Sequence, residues 1–503
     1  MSVSIQQYEK LKNKLQQIAD IKYAAALLQW DQETYLPPKG NDARGRQIAT
    51  LSEISHQQFT DEKTGNLLQE LINCHDLSNT QKRNIQLSND DYIKSKKLPS
   101  AFVRKSSEVI NKSFHSWISA RKENNFDLFK NPLQEVIEIK KQEAEYLGYS
   151  EHPYDALMNE YDKGLTVKFT DELFSSLKPE LSSILAEIKN CPQVENNFLH
   201  GHFDKSLQWN FGMNLLKSMH FDFEAGRQDI SEHPFTTNFS SKDVRVTTRI
   251  DENDFANMTW SCIHEGGHAL YEQGLPDEEY GMPLGEYCSL SIHESQSRLW
   301  ENCIGRGLPF WTHQYLPLQN LFPEQLKNIP LDQFYNGINK VSSSLIRTEA
   351  DELTYHFHVM IRYEIEKLLI DGTIMSKDIP AIWNELYDKY LGVKVPDDKN
   401  GCLQDVHWSH GSFGYFATYS IGSLYAAQFW SAIKKDILNV EQMLISGNSL
   451  PVFHWLQQHI YPFGRYYSSA ELCKKATGEI LDSKYFIEYA KQKFYDIYKK
   501  LHQ

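Results

Sequence analysis

The stretch IHEGGHALYEQG (263–274) holds two histidines four residues apart, with a glutamate directly after the first. On a helix, His264 and His268 fall on one face, one turn apart. Two imidazoles so placed can ligate one divalent cation. Glu265, one step round, can act as general base on a metal-bound water. A chance HExxH is expected in about one such chain in twenty, so the motif needs a further ligand to carry weight. The bland alternative is a pair of packed histidines and a solvated glutamate. A zinc hydrolase keeps an open position and needs a third protein ligand. LSIHESQSRLWEN (290–302) reads as a following helix and offers Glu294. Glu272 lies on the same helix as the histidines, a poor geometry for closing a tetrahedron. Glu278 and Glu279 fall in the connecting loop, and Glu286 is read onto the same following helix as Glu294. Spacing alone leaves Glu286 and Glu294 both open. Gly266 and Gly267 each cost a helix about 1 kcal/mol relative to alanine. Their presence predicts close packing, or a peptide passing near, at their bare Cα atoms.

Attack on a carbonyl creates an oxyanion that needs donors. GCLQDVHWSHGSFGYF (401–416) and the residues just after it supply His407, His410, Tyr415 and Tyr419. Each of these equally suits buried packing. A peptide substrate must also be held. DVRVTTRI (243–250) alternates and is β-branched, so it is read as a strand able to pair with a peptide main chain. Its Arg245 has Asp243 as a local partner. In IRTEADELTYH (346–356), Arg347 can fork onto a carboxylate, or pair with Asp351 at i,i+4 on a helix.

Helices must position these groups. Periodicity predicts them over 5–30, 42–70, 80–95, 98–124, 132–147, 255–274, 288–303, 345–370 and 379–391. Ser100 is read as the cap of the fourth, and LPPKG stops the first at Pro37 and Pro38. The strand at 243–250 is expected to pair with 218–225, with HPF (233–235) in the loop between them. The fold class is therefore mainly α with a small β-sheet. The 503 residues show no clean boundary and no internal repeat. They are read as a single catalytic domain, with 1–220 a helical N-terminal part and 221–503 the metal- and substrate-binding core. A net charge of −14 argues against nucleic acid. The opening MSVSIQQYEKLKNKL lacks the apolar core of a secretory signal, and YAAALLQW (23–30) is too short to span a bilayer. Seven cysteines, dispersed from Cys74 to Cys473, point to reduced thiols and a cytoplasmic location.

Taken in order, LQWDQETYLPPKG, HPF, DVRVT, HEGGH, HESQ (293–296), IRTEAD, YEIEKLLIDG (363–372), GCLQDVHW and GRYYSSAEL resemble the Taq-type metallocarboxypeptidases, the thermostable carboxypeptidase 1 family. These motifs span the chain. The resemblance implies a large helical zinc-peptidase fold with a long substrate groove, which 1–220 covers, and the sheet near the active site. It implies metal ligands His264, His268 and Glu294, which favours Glu294 over Glu286, and Glu265 as base. Arg347 would hold the substrate's terminal carboxylate, with His233 and Arg245 in the substrate-binding groove. By weaker similarity to the angiotensin-converting type, His407 and Tyr415 would face the oxyanion, with Tyr419 the alternative tyrosine. The expected activity is release of single C-terminal amino acids from peptides, with broad specificity. One Zn2+ per chain is expected, with Co2+ able to substitute, in a homodimer. An oligopeptidase or dipeptidyl carboxypeptidase shares this chemistry. A noncatalytic, metal-stabilised binding protein is a third reading.

Overall fold

Leu11, Leu15 and Ile18 recur at the helical period, and they form the buried stripe of a helix, Val3–Thr34. Ile21 and Tyr23 of the same series are only half-buried. The Ser2 hydroxyl accepts from the Ile5 amide to start this helix. Its stripe packs with Leu68, Leu71, Leu77, Ile85 and Met282. The computed structural model describes residues 2–499, and most of its elements are helices.

The predicted helices are present, those over 255–274 and 379–391 with the expected bounds and the others with altered ends. The 42–70 segment is two helices, Asn41–Thr60 and Glu62–Leu71, because the Asp61 carboxylate caps the second through the Lys63 amide. Ser100 is the first residue of Ser100–Glu123 rather than its cap; Pro99 takes the cap position and makes no side-chain cap bond. The 132–147 helix starts earlier, at Asp127. The 288–303 segment is an α-helix, Leu290–Arg298, that runs on into a π-helical turn, Leu299–Gly305. Glu286 lies before it, just past a 3-10 turn, and not on it. The 345–370 helix begins only at Tyr355, and Arg347 sits in a separate 3-10 turn, Arg347–Glu349.

The sheet has three strands: β1 (Gly226–Ile230), β2 (Thr236–Ser240) and β3 (Asp243–Thr248). Their order is β1-β3-β2, with β1 parallel and β2 antiparallel to β3. Residues 218–225 are not a strand; they end a helix and turn into β1. HPF lies between β1 and β2. Both edges of β3 are paired, so it has no main-chain edge to offer a peptide.

By internal packing the chain forms two compact units, each drawn from three stretches. The first comprises Met1–Lys96, Asn196–Ile338 and Ala426–Ile480 and contains the sheet. Here helix Phe255–Gly274 packs on β3, on helix Lys205–Ser218 and on Leu290–Arg298. The second comprises Lys97–Glu195, Asn339–Tyr425 and Leu481–Gln503. Its helix Tyr355–Asp371 is buried on nearly every side, as expected of a core helix. Residues 1–220 contribute to both units. Among the described residues no disulfide joins the seven cysteines, and no helix is long and apolar enough to cross a membrane.

Candidate metal centre

Asp254 caps helix Phe255–Gly274 by accepting from the Ala256 amide; Met258 and Cys262 pack at Gly212 of helix Lys205–Ser218, while Ser261 bonds to Thr248 on β3. His264 and His268 follow one turn apart, their ring centroids 4.9 Å from each other. Ser289 caps the next helix through the Ile292 amide, and that helix carries Glu294 up to the two rings. Glu294 Oε2 lies 3.8 Å from His264 Nε2 and 3.5 Å from His268 Nε2. Its other oxygen is held by Arg298 Nε at 2.7 Å. Donors around one tetrahedral Zn2+ stand roughly 3.3 Å apart. The three donor atoms here all lie within 4.8 Å of one another, so the set fits a divalent cation.

The charges agree with that use. Burial alone would raise the Glu294 carboxyl, but Arg298 and the two histidines outweigh it and hold it well below the ordinary carboxylate range. Burial and the neighbouring His293 push His268 down to about 3, which keeps it neutral and able to ligate. For His264 burial acts downward, but Glu294 and Glu301 prevail and raise it. A cation bound there replaces the proton those carboxylates attract.

Each imidazole is also gripped from behind. His264 Nδ1 is 2.8 Å from Glu301 Oε2 in the π-helical turn. His268 Nδ1 is 2.5 Å from His293 Nδ1, and His293 Nε2 is 2.7 Å from Glu272 Oε1. Glu272 therefore stands behind a ligand rather than among the ligands. Of the remaining competitors, Glu286 pairs with Arg465 at 2.8 Å and Glu279 accepts from Asn84 at 2.7 Å. Glu265 is buried, which raises its carboxyl above the ordinary value. It accepts from Thr236 Oγ1 on β2 at 2.7 Å. Sequence reasoning missed Thr236 and Glu301 and gave His293 no role. A carboxylate seven residues after Glu294, and a histidine beside it, were the available signals.

The other anticipated residues separate into two groups. In the first unit, Arg245 forks onto Asp243 with both bonds at 2.9 Å and lies over the Trp30 ring. His233 is exposed, and its carbonyl accepts from Ser231 Oγ at 2.6 Å. In the second unit, Arg347 is 6% exposed and pairs with Asp405, not Asp351: Nε and Nη2 reach Asp405 Oδ1 at 3.0 and 2.9 Å. Asp351 instead accepts from the Thr354 amide and hydroxyl at the start of the next helix. Arg362, unforeseen, donates to Asp405 Oδ2 at 2.6 Å and is fully buried. Two guanidiniums thus share one carboxylate. Burial and Arg347 push the adjacent His407 down to about 3. His407 Nε2 is 3.1 Å from the Tyr419 hydroxyl, and its ring centroid is 5.6 Å from that of Tyr415. His410 packs on Phe114 instead.

A mainly helical chain with two imidazoles and a glutamate on adjacent helices, and a buried glutamate beside the first imidazole, defines a metallopeptidase. The comparisons narrow the class. The profile of the carboxypeptidase Taq (M32) metallopeptidases matches residues 10–494. Carboxypeptidase 1 of Bacillus subtilis (strain 168) is 37% identical over 499 residues, covering 99% of this chain and 100% of the relative. Thermostable carboxypeptidase 1 of Pyrococcus furiosus is 36% identical over 484 residues, covering 96% and 97%. The crystal structure of the M32 carboxypeptidase from Deinococcus radiodurans R1 superposes with a TM-score of 0.96 at 36% identity, over 98% of this chain and 100% of that one. The chain belongs to the carboxypeptidase Taq (M32) family and is a metal-dependent carboxypeptidase.

Proposed function

We propose that the enzyme releases single C-terminal amino acids from peptides with broad specificity, using one Zn2+ held by His264, His268 and Glu294. Co2+ can take the place of zinc. The observation that carries this reading is the three-donor cluster with buried Glu265 beside it, on the helix of the two histidines. When bound, the ion polarises the scissile carbonyl and acidifies water at its open position. Glu265, oriented by Thr236, takes the proton of the attacking water and delivers it to the departing amine. Its raised proton affinity suits a group that must first accept and then release a proton. Arg347 receives the terminal carboxylate; the excess positive charge of the Arg347–Asp405–Arg362 cluster supports that role. His407 and Tyr415 donate to the oxyanion, with Tyr419 the alternative tyrosine, supported by its bond to His407. His233 and Arg245 are further substrate contacts.

We further propose one catalytic domain acting as a homodimer in the cytoplasm, without nucleic-acid or membrane partners. The net charge supports the absence of nucleic acid, the dispersed cysteines support the location, the lack of a long apolar helix among the described residues supports the absence of a membrane span, and the resemblance supports the homodimer. Glu265→Gln tests the mechanism. The variant should bind a full equivalent of metal while kcat falls by about 10²-fold or more. Turnover at the normal rate in a metal-loaded variant would refute the base.

A further inference from the structure

HESQ offers two side chains with chemistry, and the ligand role uses only Glu294. The residue before it joins a continuous line of bonds. Asn238 Nδ2 on β2 donates to Glu272 Oε2 at 2.6 Å. Glu272 Oε1 faces His293 Nε2 at 2.7 Å, and His293 Nδ1 faces His268 Nδ1 at 2.5 Å. The line is largely shielded from water: the side chains of Glu272, His293 and His268 are 4%, 12% and 14% exposed. The Tyr271 and Tyr287 rings flank His293, with centroids 5.5 and 4.8 Å away.

We propose that His293 is a positioning residue for the metal centre, fixing the tautomer and ring plane of His268 through a relay that begins at Glu272. The direction of the bonds follows from the chemistry of each group. A carboxylate only accepts, so His293 Nε2 carries a hydrogen. A neutral His293 then has a bare Nδ1, which accepts from His268 Nδ1–H. That leaves the lone pair of His268 on Nε2, the atom that faces Glu294 and the cation. The opposite tautomer would put a hydrogen where the cation must sit. The two ligands are supported unequally, His264 by a carboxylate and His268 by an imidazole.

Glu272→Gln puts the relay under strain without changing its shape. The Asn238 amide claims the new carbonyl oxygen, so the new amide nitrogen donates to His293 Nε2. Both downstream bonds reverse, and His268 Nε2 becomes protonated. His293→Ala removes the relay outright, whereas His293→Gln restores one donor and one acceptor. The inference rests on His268 being a ligand, and His268→Ala serves as the control for that.

The measurement is Zn2+ affinity of the full chain by competition with a chromophoric chelator, together with the visible spectrum of the Co2+-loaded protein. Melting of the metal-free variants reports folding. Glu272→Gln and His293→Ala should each bind Zn2+ about 10–100-fold more weakly, with an altered Co2+ spectrum, and His293→Gln should lie nearer the parent. Parent-like affinity and spectrum in Glu272→Gln would overturn the proposal, as would the same result in a folded His293→Ala. If His293→Ala does not fold, isosteric Glu272→Gln decides. Parent-like affinity in His268→Ala would instead overturn the ligand assignment itself.

Discussion

An added Cβ on Gly267 would sit 2.6 Å from the Gln296 carbonyl oxygen and 2.7 Å from Ser297 Cα. Both atoms are backbone of the helix that carries Glu294, so this bare Cα is what lets the third ligand approach the two histidines. At Gly266 the same atom would meet the ends of Leu216 and Met219 at 2.7 and 2.9 Å, and flexible side chains can give way. The two glycines therefore do different jobs. Gly266→Ala recovers about 1 kcal/mol of helix propensity against a modest clash, and its stability should stay within about 1 kcal/mol of the parent. Gly267→Ala overpacks two backbones and should destabilise by about 1–3 kcal/mol or more, with weakened metal binding. Thermal melts and a metal titration of the two variants check the contrast; equal effects would contradict it. HEGGH was legible as a candidate ligand pair because i,i+4 geometry is a property of any helix. The reason for each glycine was not, because it depends on neighbours about 50 and 30 residues away in sequence.

Between elements, a buried carboxyl fastens the motif-bearing loop of the second unit. Glu366, on helix Tyr355–Asp371, accepts from Trp408 Nε1 and the Gly414 amide, each at 2.8 Å, and from the Tyr154 hydroxyl. It thus brackets 408–414, a stretch that includes His410 and begins directly after His407. Burial pushes its carboxyl up to about 7 from 4.5, against the pull of its donors and Lys140. Between those pH values the folded chain keeps a proton that the unfolded chain has released. The contribution of Glu366 to stability is therefore fully present below 4.5 and declines as pH rises to about 7. The whole change is at most about 3 kcal/mol. Glu366→Gln cannot titrate, so the stability of the parent relative to this variant should fall across that range, measured by denaturant unfolding at several pH values. A constant difference would contradict the assignment. Long helices such as Phe255–Gly274 were readable from their period. Strand β2 was not: TTNFS is half-buried throughout and carries no alternation, yet it supplies both Thr236 and Asn238. The helical period read over 345–370 places Arg347 on a helix, whereas the helix starts only at Tyr355. The true partner of Arg347, Asp405, is 58 residues away, beyond any local pattern.

For the molecule as a whole, the helical class and the metal chemistry were visible in ordered motifs spread along the chain. The two compact units were not, because each is assembled from three distant stretches, and contacts of that range leave no mark on local periodicity. This chain cleaves peptides from the C-terminus and needs a divalent metal to do so. The most direct measurement is a mass spectrum of products from a peptide with a blocked N-terminus and a free C-terminus. It is taken with the enzyme as purified, after exhaustive chelation, and after Zn2+ is restored. A ladder of single-residue losses from the C-terminus should appear, vanish on chelation and return with Zn2+. A ladder that survives complete metal removal, or first products cut internally or two residues from the end, would contradict this reading.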